Sequence, residues 1–298
     1  MIKKEEIHKI LEDYDDITIG VLCSHSALQI IHGAKLEGFK TIGICTNERK
    51  RAYSAFSRAK PDEFIVLDKF SDIIKENYQE KLIEENTIII PHGSLVEYVG
   101  PNNLLENFYV PINGNRDSLK WEESRDKQME WLEKAGIKTP KKYESPSNID
   151  NTVFVKFDGA KGGEGFFIAE SEKDYEQKLK QRLEKGTVTE KDIKNVTIQE
   201  FIPGIRYYPH YFYSLYDQRG AELNEGSIEI LGMDRRIEPI DESYRGLPDI
   251  PTEFFNYTVT GNEPLVIREK LLVDLVEMGE NVIKSSKNLF DPGIIGPF

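Results

Sequence analysis

Between residues 17 and 90 one pattern repeats: a short apolar run, a turn, then a stretch with helical spacing. The apolar runs are 17–22, 41–45, 64–67 and 87–90, and helical spacing fills 27–36, stopped by Gly38, and 71–85. An amphipathic helix over 3–14 precedes them, with Ile7, Ile10 and Leu11 on one face. Strands alternating with helices at this spacing predict an α/β fold with a parallel, doubly wound sheet. Ligands of such sheets bind beyond the carboxyl ends of the strands. Two segments fall on that edge, Ser24-His25-Ser26 after the first strand and Pro91-His92-Gly93-Ser94 after the fourth. Ser24 and Ser94 can offer hydroxyl or amide donors to a phosphate or an amide. His25 also fits a purely structural role, orienting the cap of the helix that follows.

A second feature is the run 153–167, Val-Phe-Val-Lys-Phe-Asp-Gly-Ala-Lys-Gly-Gly-Glu-Gly-Phe-Phe. It predicts a strand, a loop carrying Gly159, Gly162, Gly163 and Gly165, and a returning strand over 166–169. A glycine-rich hairpin tip can bring bare backbone N–H groups against an anion. Lys156 and Lys161 add positive charge there. The spacing matches neither a Walker loop nor a dinucleotide fingerprint. Alone, it fits a flexible hairpin with an ordinary strand lysine equally well.

Composition narrows the partners. The net charge of −13 argues against nucleic acid, whose phosphates call for clustered Lys and Arg. With 39% hydrophobic and 31% charged residues and no long apolar run, nothing in the sequence predicts a membrane span. The first six residues, Met1-Ile2-Lys3-Lys4-Glu5-Glu6, lack the apolar core of a secretory signal. Cys23 and Cys45, at the ends of successive strands, read as buried thiols of a reducing cytoplasm. A length of 298 residues suits two domains.

The second half carries a helix over 118–135, ended by Gly136, and a charged surface helix over 173–184. Residues 196–204 read as a strand broken by Pro203-Gly204, leaving backbone groups beyond Glu200 open to an adenine edge. Residues 207–216 alternate as a strand that would carry His210 inward. A buried strand over 228–238 ends in Asp234-Arg235-Arg236, and a helix runs from 264 or 265 to 289.

Lys156 in Val-Lys-Phe, the loop Lys161-Gly162-Gly163-Glu164-Gly165 and the run Gln199-Glu200-Phe201-Ile202-Pro203-Gly204, in that order, resemble the ATP-grasp superfamily. Joined by Ser24-His25, Pro91-His92-Gly93-Ser94, Gly114-Asn115-Arg116, Pro209-His210-Tyr211-Phe212-Tyr213 and Thr260-Gly261-Asn262, they resemble one family within it. That family is the archaeal 5-formaminoimidazole-4-carboxamide ribonucleotide synthetases (formate–AICAR ligases), and the likeness spans essentially the whole chain. It implies a Rossmann-like domain over 1–118 and an ATP-grasp domain over 119–298, with a glycine-loop lid at about 146–205. It implies a carbon–nitrogen ligase of purine (IMP) biosynthesis. ATP, formate and the aminoimidazole carboxamide ribonucleotide AICAR would give the formylated product FAICAR, ADP and phosphate, through formyl phosphate. It further implies a cytoplasmic homo-oligomer that uses Mg²⁺ or Mn²⁺.

Carried over residue by residue, Lys156 and Lys161 would hold ATP phosphates while Gly162, Gly163 and Gly165 close over them. Glu200 and Ile202 would present backbone to the adenine, and Glu238 falls at an ATP contact. His25, Ser94 and Asn262 fall at AICAR contacts, and Arg235 is a candidate for stabilising formyl phosphate. Two departures stand out. Glu164 puts an acid at the loop tip where relatives carry a basic residue, and it would repel triphosphate unless turned to solvent or paired with a lysine. The apolar run Ile294-Ile295-Gly296-Pro297-Phe298 is where the family continues into its acidic Mg²⁺ ligands, so no metal ligand is assigned and a missing C-terminal segment is expected. Another ATP-grasp carboxylate–amine ligase, or a nucleotide-binding paralogue without catalysis, remains open.

Overall fold

A computed structural model of the protein describes residues 2–122, 125–157, 166–193, 196–204, 206–217, 219–237 and 261–298. The chain falls into two compact units, Met1–Ala135 with Phe212–Ile228 and Glu280–Phe298, and Gly136–Tyr211 with Glu229–Gly279.

In the first unit the apolar runs become β1 (Thr18–Leu22), β2 (Lys40–Thr46), β3 (Glu63–Leu67) and β4 (Thr87–Ile89). They form a parallel sheet in the order β3-β2-β1-β4, with Thr18 level with both Lys40 and Thr87. β1 is central and its side chains enter two cores. Leu22 and Ile44 pack with Leu67, Phe70, Leu95 and Phe108 on one face. Val21, Cys23 and Cys45 pack with Ala27, Ile31 and Tyr53 on the other. Burial on both faces is what a continuous apolar strand requires. The helix Ala27–Leu36 forms as the sequence predicts, and Gly38 leaves it at φ +83.

The predicted helix over 71–85 divides. A 3₁₀ turn, Phe70–Ile74, buries Phe70 and Ile73, Lys75 turns extended, and an α-helix runs over Glu76–Glu84. The Gln79 amide donates to the Ile74 carbonyl at the break (2.6 Å) and to Asn107 O (2.9 Å). Three helices absent from the sequence reading follow the strands, Asn47–Ser54 after β2 and Gly93–Val99 and Pro101–Glu106 after β4. The helix predicted over 118–135 starts as a 3₁₀ turn, Arg116–Ser118, followed by Leu119–Glu122 and Arg125–Lys134.

The Gly114-Asn115-Arg116 motif is a clasp. A Cβ at Gly114 (φ +94) would lie 2.7 Å from Ile295 O. Asn115 Nδ2 donates to Gly293 O (2.7 Å) and Asp291 O (3.2 Å). The half-buried Arg116 guanidinium donates to the carbonyls of Leu104 and Val110, both at 2.8 Å, and to that of Phe108.

In the second unit β5 (Lys142–Tyr143), β6 (Val153–Lys156), β7 (Phe166–Ala169) and β8 (Thr197–Glu200) form an antiparallel sheet in the order β5-β8-β6-β7. Val153, Val155, Phe167, Ala169 and Ile198 face a core that includes Tyr175 of the helix Glu172–Glu184. A third sheet, in the order β11-β10-β9-β12, is built from β9 (Tyr208–Tyr216), β10 (Glu222–Ile237), β11 (Gly261–Pro264) and β12 (Gly296–Pro297). β9, β10 and the helix Glu269–Leu289 contribute residues to both units.

Three expectations are corrected here. The last helix begins at Glu269 instead of 264 or 265, because residues 261–264 pair with the end of β10. β10 is not a buried strand, since none of its positions is fully buried. His210 points outward, its side chain 52% exposed, while Tyr211 and Tyr213 take the buried positions. Alternation fixed that neighbours on β9 face opposite ways, but not which set faces in.

Candidate functional site

The carboxyl edge of the parallel sheet carries a polar cluster to which all four strands contribute. Arg49 lies in the helix directly after β2. Its Nη1 donates to Ser24 Oγ, beyond β1, at 2.7 Å, and its Nη2 to the Tyr98 hydroxyl, in the helix after β4, at 3.0 Å. The guanidinium lies over the rings of Phe70, beyond β3, at 5.1 Å and of Tyr98 at 5.3 Å, and those rings stack at 5.0 Å. A cation held by two rings and two hydroxyls is pre-positioned, with little side-chain freedom left to lose. Sequence reasoning missed Arg49. The strand-end rule, applied to β2 as it was to β1 and β4, points to it.

His25 and Ser94 share this edge. His25 is exposed, takes the left-handed backbone conformation (φ +43), and its Nδ1 lies 3.1 Å from Ser26 Oγ. Its ring stands 6.4 Å from that of His92. His92 is a structural tie: Nδ1 accepts from the Ser94 amide (3.3 Å), so the proton is on Nε2, which donates to Leu22 O (2.8 Å). Burial, with the nearby His25, lowers the His92 pKa below the ordinary imidazole value. Cys23 and Cys45 are free and buried.

In the second unit Lys156 closes β6 on the face away from the core. Its Nζ lies 3.3 Å from Gln199 Oε1 and 5.1 Å over the Phe154 ring. Phe154 stacks with Phe166 (4.9 Å) and Phe201 (6.4 Å), making an aromatic strip beside the lysine. The strand 166–169 returns antiparallel to β6, with Lys156 opposite Phe166. The amides of Glu200 and Phe201 are committed to Lys141 O (2.8 Å) and Thr152 O (3.0 Å). Glu200 Oε2 accepts from the Lys141 amide at 3.1 Å. The Glu200 N–H is therefore not available to a ligand, while Ile202 is 59% exposed and beyond the strand.

Asn262 stands in β11 opposite Arg236, and Glu263 opposite Arg235. Arg235 Nη2 donates to Glu263 Oε2 at 2.7 Å. Arg236 takes the alternate face, its guanidinium 4.2 Å from the Tyr208 ring centroid. Arg235 and Asn262 are thus on opposite faces of the strand pair, because side chains alternate and directly paired residues share a face. Lys161, Gly162, Gly163, Gly165 and Glu238, with Glu164, lie outside the described residues. Among the described residues no group of three or more His, Cys, Asp or Glu is placed to hold a metal ion.

Two families match the chain: "Protein of unknown function (DUF1246)" over residues 19–143 and "Domain of unknown function (DUF1297)" over residues 174–298. A 5-formaminoimidazole-4-carboxamide-1-(beta)-D-ribofuranosyl 5'-monophosphate synthetase of Korarchaeum cryptofilum is 50% identical over 301 residues, spanning 100% of this chain and 82% of the relative. The synthetase of Methanocaldococcus jannaschii is 44% identical over 308 residues, 100% of this chain and 81% of its own length. The chain belongs to this synthetase family.

The structure of an IMP biosynthesis protein PurP from Thermococcus kodakaraensis superimposes with a TM-score of 0.69 at 28% identity, covering 94% of this chain and 78% of that one. A biotin carboxylase from Campylobacter jejuni shares the fold alone, with a TM-score of 0.58 at 15% identity over 90% of this chain and 59% of its own. The synthetase family thus has a mixed α/β fold with ATP-grasp neighbours, combining a parallel sheet with antiparallel ones.

Proposed function

We propose that the protein is an ATP-dependent carbon–nitrogen ligase that formylates AICAR with formate, giving FAICAR, ADP and phosphate in IMP biosynthesis. The observation that carries this reading is 42–50% identity to synthetases of that name over 100% of the chain. The chemistry explains the need for ATP. Formate acylates an amine poorly because its oxygen leaves badly. Transfer of the γ-phosphoryl to that oxygen makes formyl phosphate, which the weakly nucleophilic 5-amino group of AICAR can attack. The protein's work is positioning and charge neutralisation, not donation of a nucleophile.

In this reading the parallel sheet of the first unit is a Rossmann-like domain that binds AICAR through His25 and Ser94. Its support is their placement at the carboxyl edge, beside the Arg49 cluster. The Arg49 guanidinium is suited to the anionic end of the ribonucleotide. The ATP-grasp part binds nucleotide, with Lys156 at the phosphates, a glycine-loop lid over about 146–205 and Ile202 backbone at the adenine. Its support is the Lys156 position at the end of β6, beside an aromatic strip that suits a purine. A cytoplasmic homo-oligomer assisted by Mg²⁺ or Mn²⁺ belongs to the same reading.

The test is FAICAR formation by the purified protein with ATP, formate and AICAR, omitting each in turn. The reading predicts that all three are required and that ADP and phosphate appear in step with FAICAR. Turnover with another carboxylate or amine, and none with this pair, overturns it.

A further inference from the structure

We propose that Arg49, with the Ser24 and Tyr98 hydroxyls, decides which acceptor the protein takes: the three grip a 5'-phosphate, so the ribonucleotide is admitted and its free riboside refused. This deepens the AICAR reading above and rests on it. The starting observation is a set of donors without an acid. Arg49 Nη1 donates to Ser24 Oγ at 2.7 Å and Nη2 to the Tyr98 hydroxyl at 3.0 Å. Each hydroxyl accepts from the guanidinium with a lone pair and keeps its own proton to donate onward. Among the described residues no carboxylate pairs with Arg49. Arg49, Ser24, Phe70 and Tyr98 all belong to the first unit.

The cation is held before any ligand arrives. Its guanidinium lies over Phe70 at 5.1 Å and Tyr98 at 5.3 Å, and the two rings stack at 5.0 Å. Phe70 and Ser24 are buried, while Tyr98 is 40% exposed, so the cluster has a closed back and an open front. A side chain fixed in this way loses little freedom on binding. A half-buried cation without an acid leaves its charge for a ligand to neutralise. Lys50, the next residue, is occupied elsewhere, its Nζ 5.6 Å over the Phe64 ring. His92 has both ring nitrogens committed, to Leu22 O and the Ser94 amide, and adds no donor.

A group that only accepts hydrogen bonds and carries negative charge is what such a cluster recognises. The 5'-phosphate is the one anionic group of AICAR, and its three terminal oxygens match one guanidinium and two hydroxyls. Lysine would not serve as well, because a point charge cannot serve two hydroxyls and lie flat against two rings at once. Discrimination follows from the same geometry. With the riboside bound, the donors lose their acceptor, and a site built for a polar group rejects the analogue that lacks it. The preference for the phosphate should be at least about a hundredfold in affinity. Formate, the other anionic substrate, has only two oxygens and is the competing occupant.

Titration calorimetry of the intact protein with AICAR and with its free riboside tests the assignment, beside a thermal melt and the KM for formate. Arg49→Met should weaken AICAR binding about 10- to 100-fold and leave the riboside within about twofold of wild type, so the preference shrinks by the same 10- to 100-fold. Arg49→Lys should recover part of it. Tyr98→Phe, which keeps the ring over the guanidinium, should cost AICAR about three- to tenfold and the riboside nothing. Equal affinity of the wild type for the two ligands overturns the proposal, as do equal losses of both in Arg49→Met. So does a raised KM for formate with the AICAR preference intact. If Arg49→Met does not fold, an unchanged preference in Tyr98→Phe overturns it. A wild type that prefers the phosphate but makes no FAICAR overturns the formylation reading alone, and one that binds no AICAR overturns both.

Discussion

Replacing Lys156 with methionine separates nucleotide binding from scaffold. Lys156 ends β6 on the face opposite Val153, Val155 and Phe167, which form the core. Its Nζ lies 3.3 Å from Gln199 Oε1 and 5.1 Å from the Phe154 ring. Methionine keeps the length of the stem and its packing on Phe154 while removing the charge. The hydrogen bond to Gln199 and the cation–π contact with Phe154 together contribute about 1 kcal/mol of stability or less. A charge-assisted contact to an ATP phosphate is worth about 1.5–3 kcal/mol, so nucleotide affinity should fall roughly ten- to hundredfold. Titration calorimetry with a non-hydrolysable ATP analogue and with AICAR, beside a thermal melt, reads all three quantities. The expected pattern is a large loss for the nucleotide, none for AICAR and little change in Tm. Equal losses for both ligands would refute the reasoning and make the lysine structural.

Three further perturbations discriminate roles. His25→Ala should raise the KM for AICAR roughly tenfold and leave ATP binding unchanged; a fall in Tm with unaltered KM would make His25 a helix-orienting residue. Arg116→Ala, which strips the donor from three carbonyls, should cost about 3 kcal/mol or more in chemical denaturation without changing the affinity of the remaining folded protein for either ligand. Burial holds folded His92 below its ordinary pKa of 6.5, so the folded state binds fewer protons than the unfolded chain as pH drops. Its contribution to stability is therefore complete above 6.5 and is lost as pH falls from there through the lowered folded value. Replacing His92 with glutamine should flatten the dependence of Tm on pH across that window.

The strands of the parallel sheet were legible because each is an apolar run bounded by turns, and burial on both faces leaves no other pattern. The helix Asn47–Ser54 was not legible: Asn-Glu-Arg-Lys-Arg-Ala-Tyr-Ser buries only Tyr53, so it lacks an apolar stripe. Arg49 was lost with it. The glycine hairpin was legible in its two strands, whose register from Val153 to Lys156 follows the alternation in the sequence. His25 and His92 look alike as Ser/His-type strand ends, yet only a contact from His92 to Leu22, 70 residues away, makes one of them a structural tie. The choice between Arg235 and Arg236 depends on pairing with β11, a long-range register that no local pattern encodes. Likewise, the outward turn of His210 follows from which face of β9 packs, with the Tyr211 hydroxyl donating to Leu275 O at 2.7 Å.

The central claim is that ATP activates formate as an acyl phosphate before the amine attacks. Formate labelled with ¹⁸O at both oxygens, turned over with ATP and AICAR, tests it in one mass spectrum. The account predicts one labelled oxygen in the released phosphate and the other in the formyl group of FAICAR. Unlabelled phosphate accompanying labelled FAICAR would contradict it.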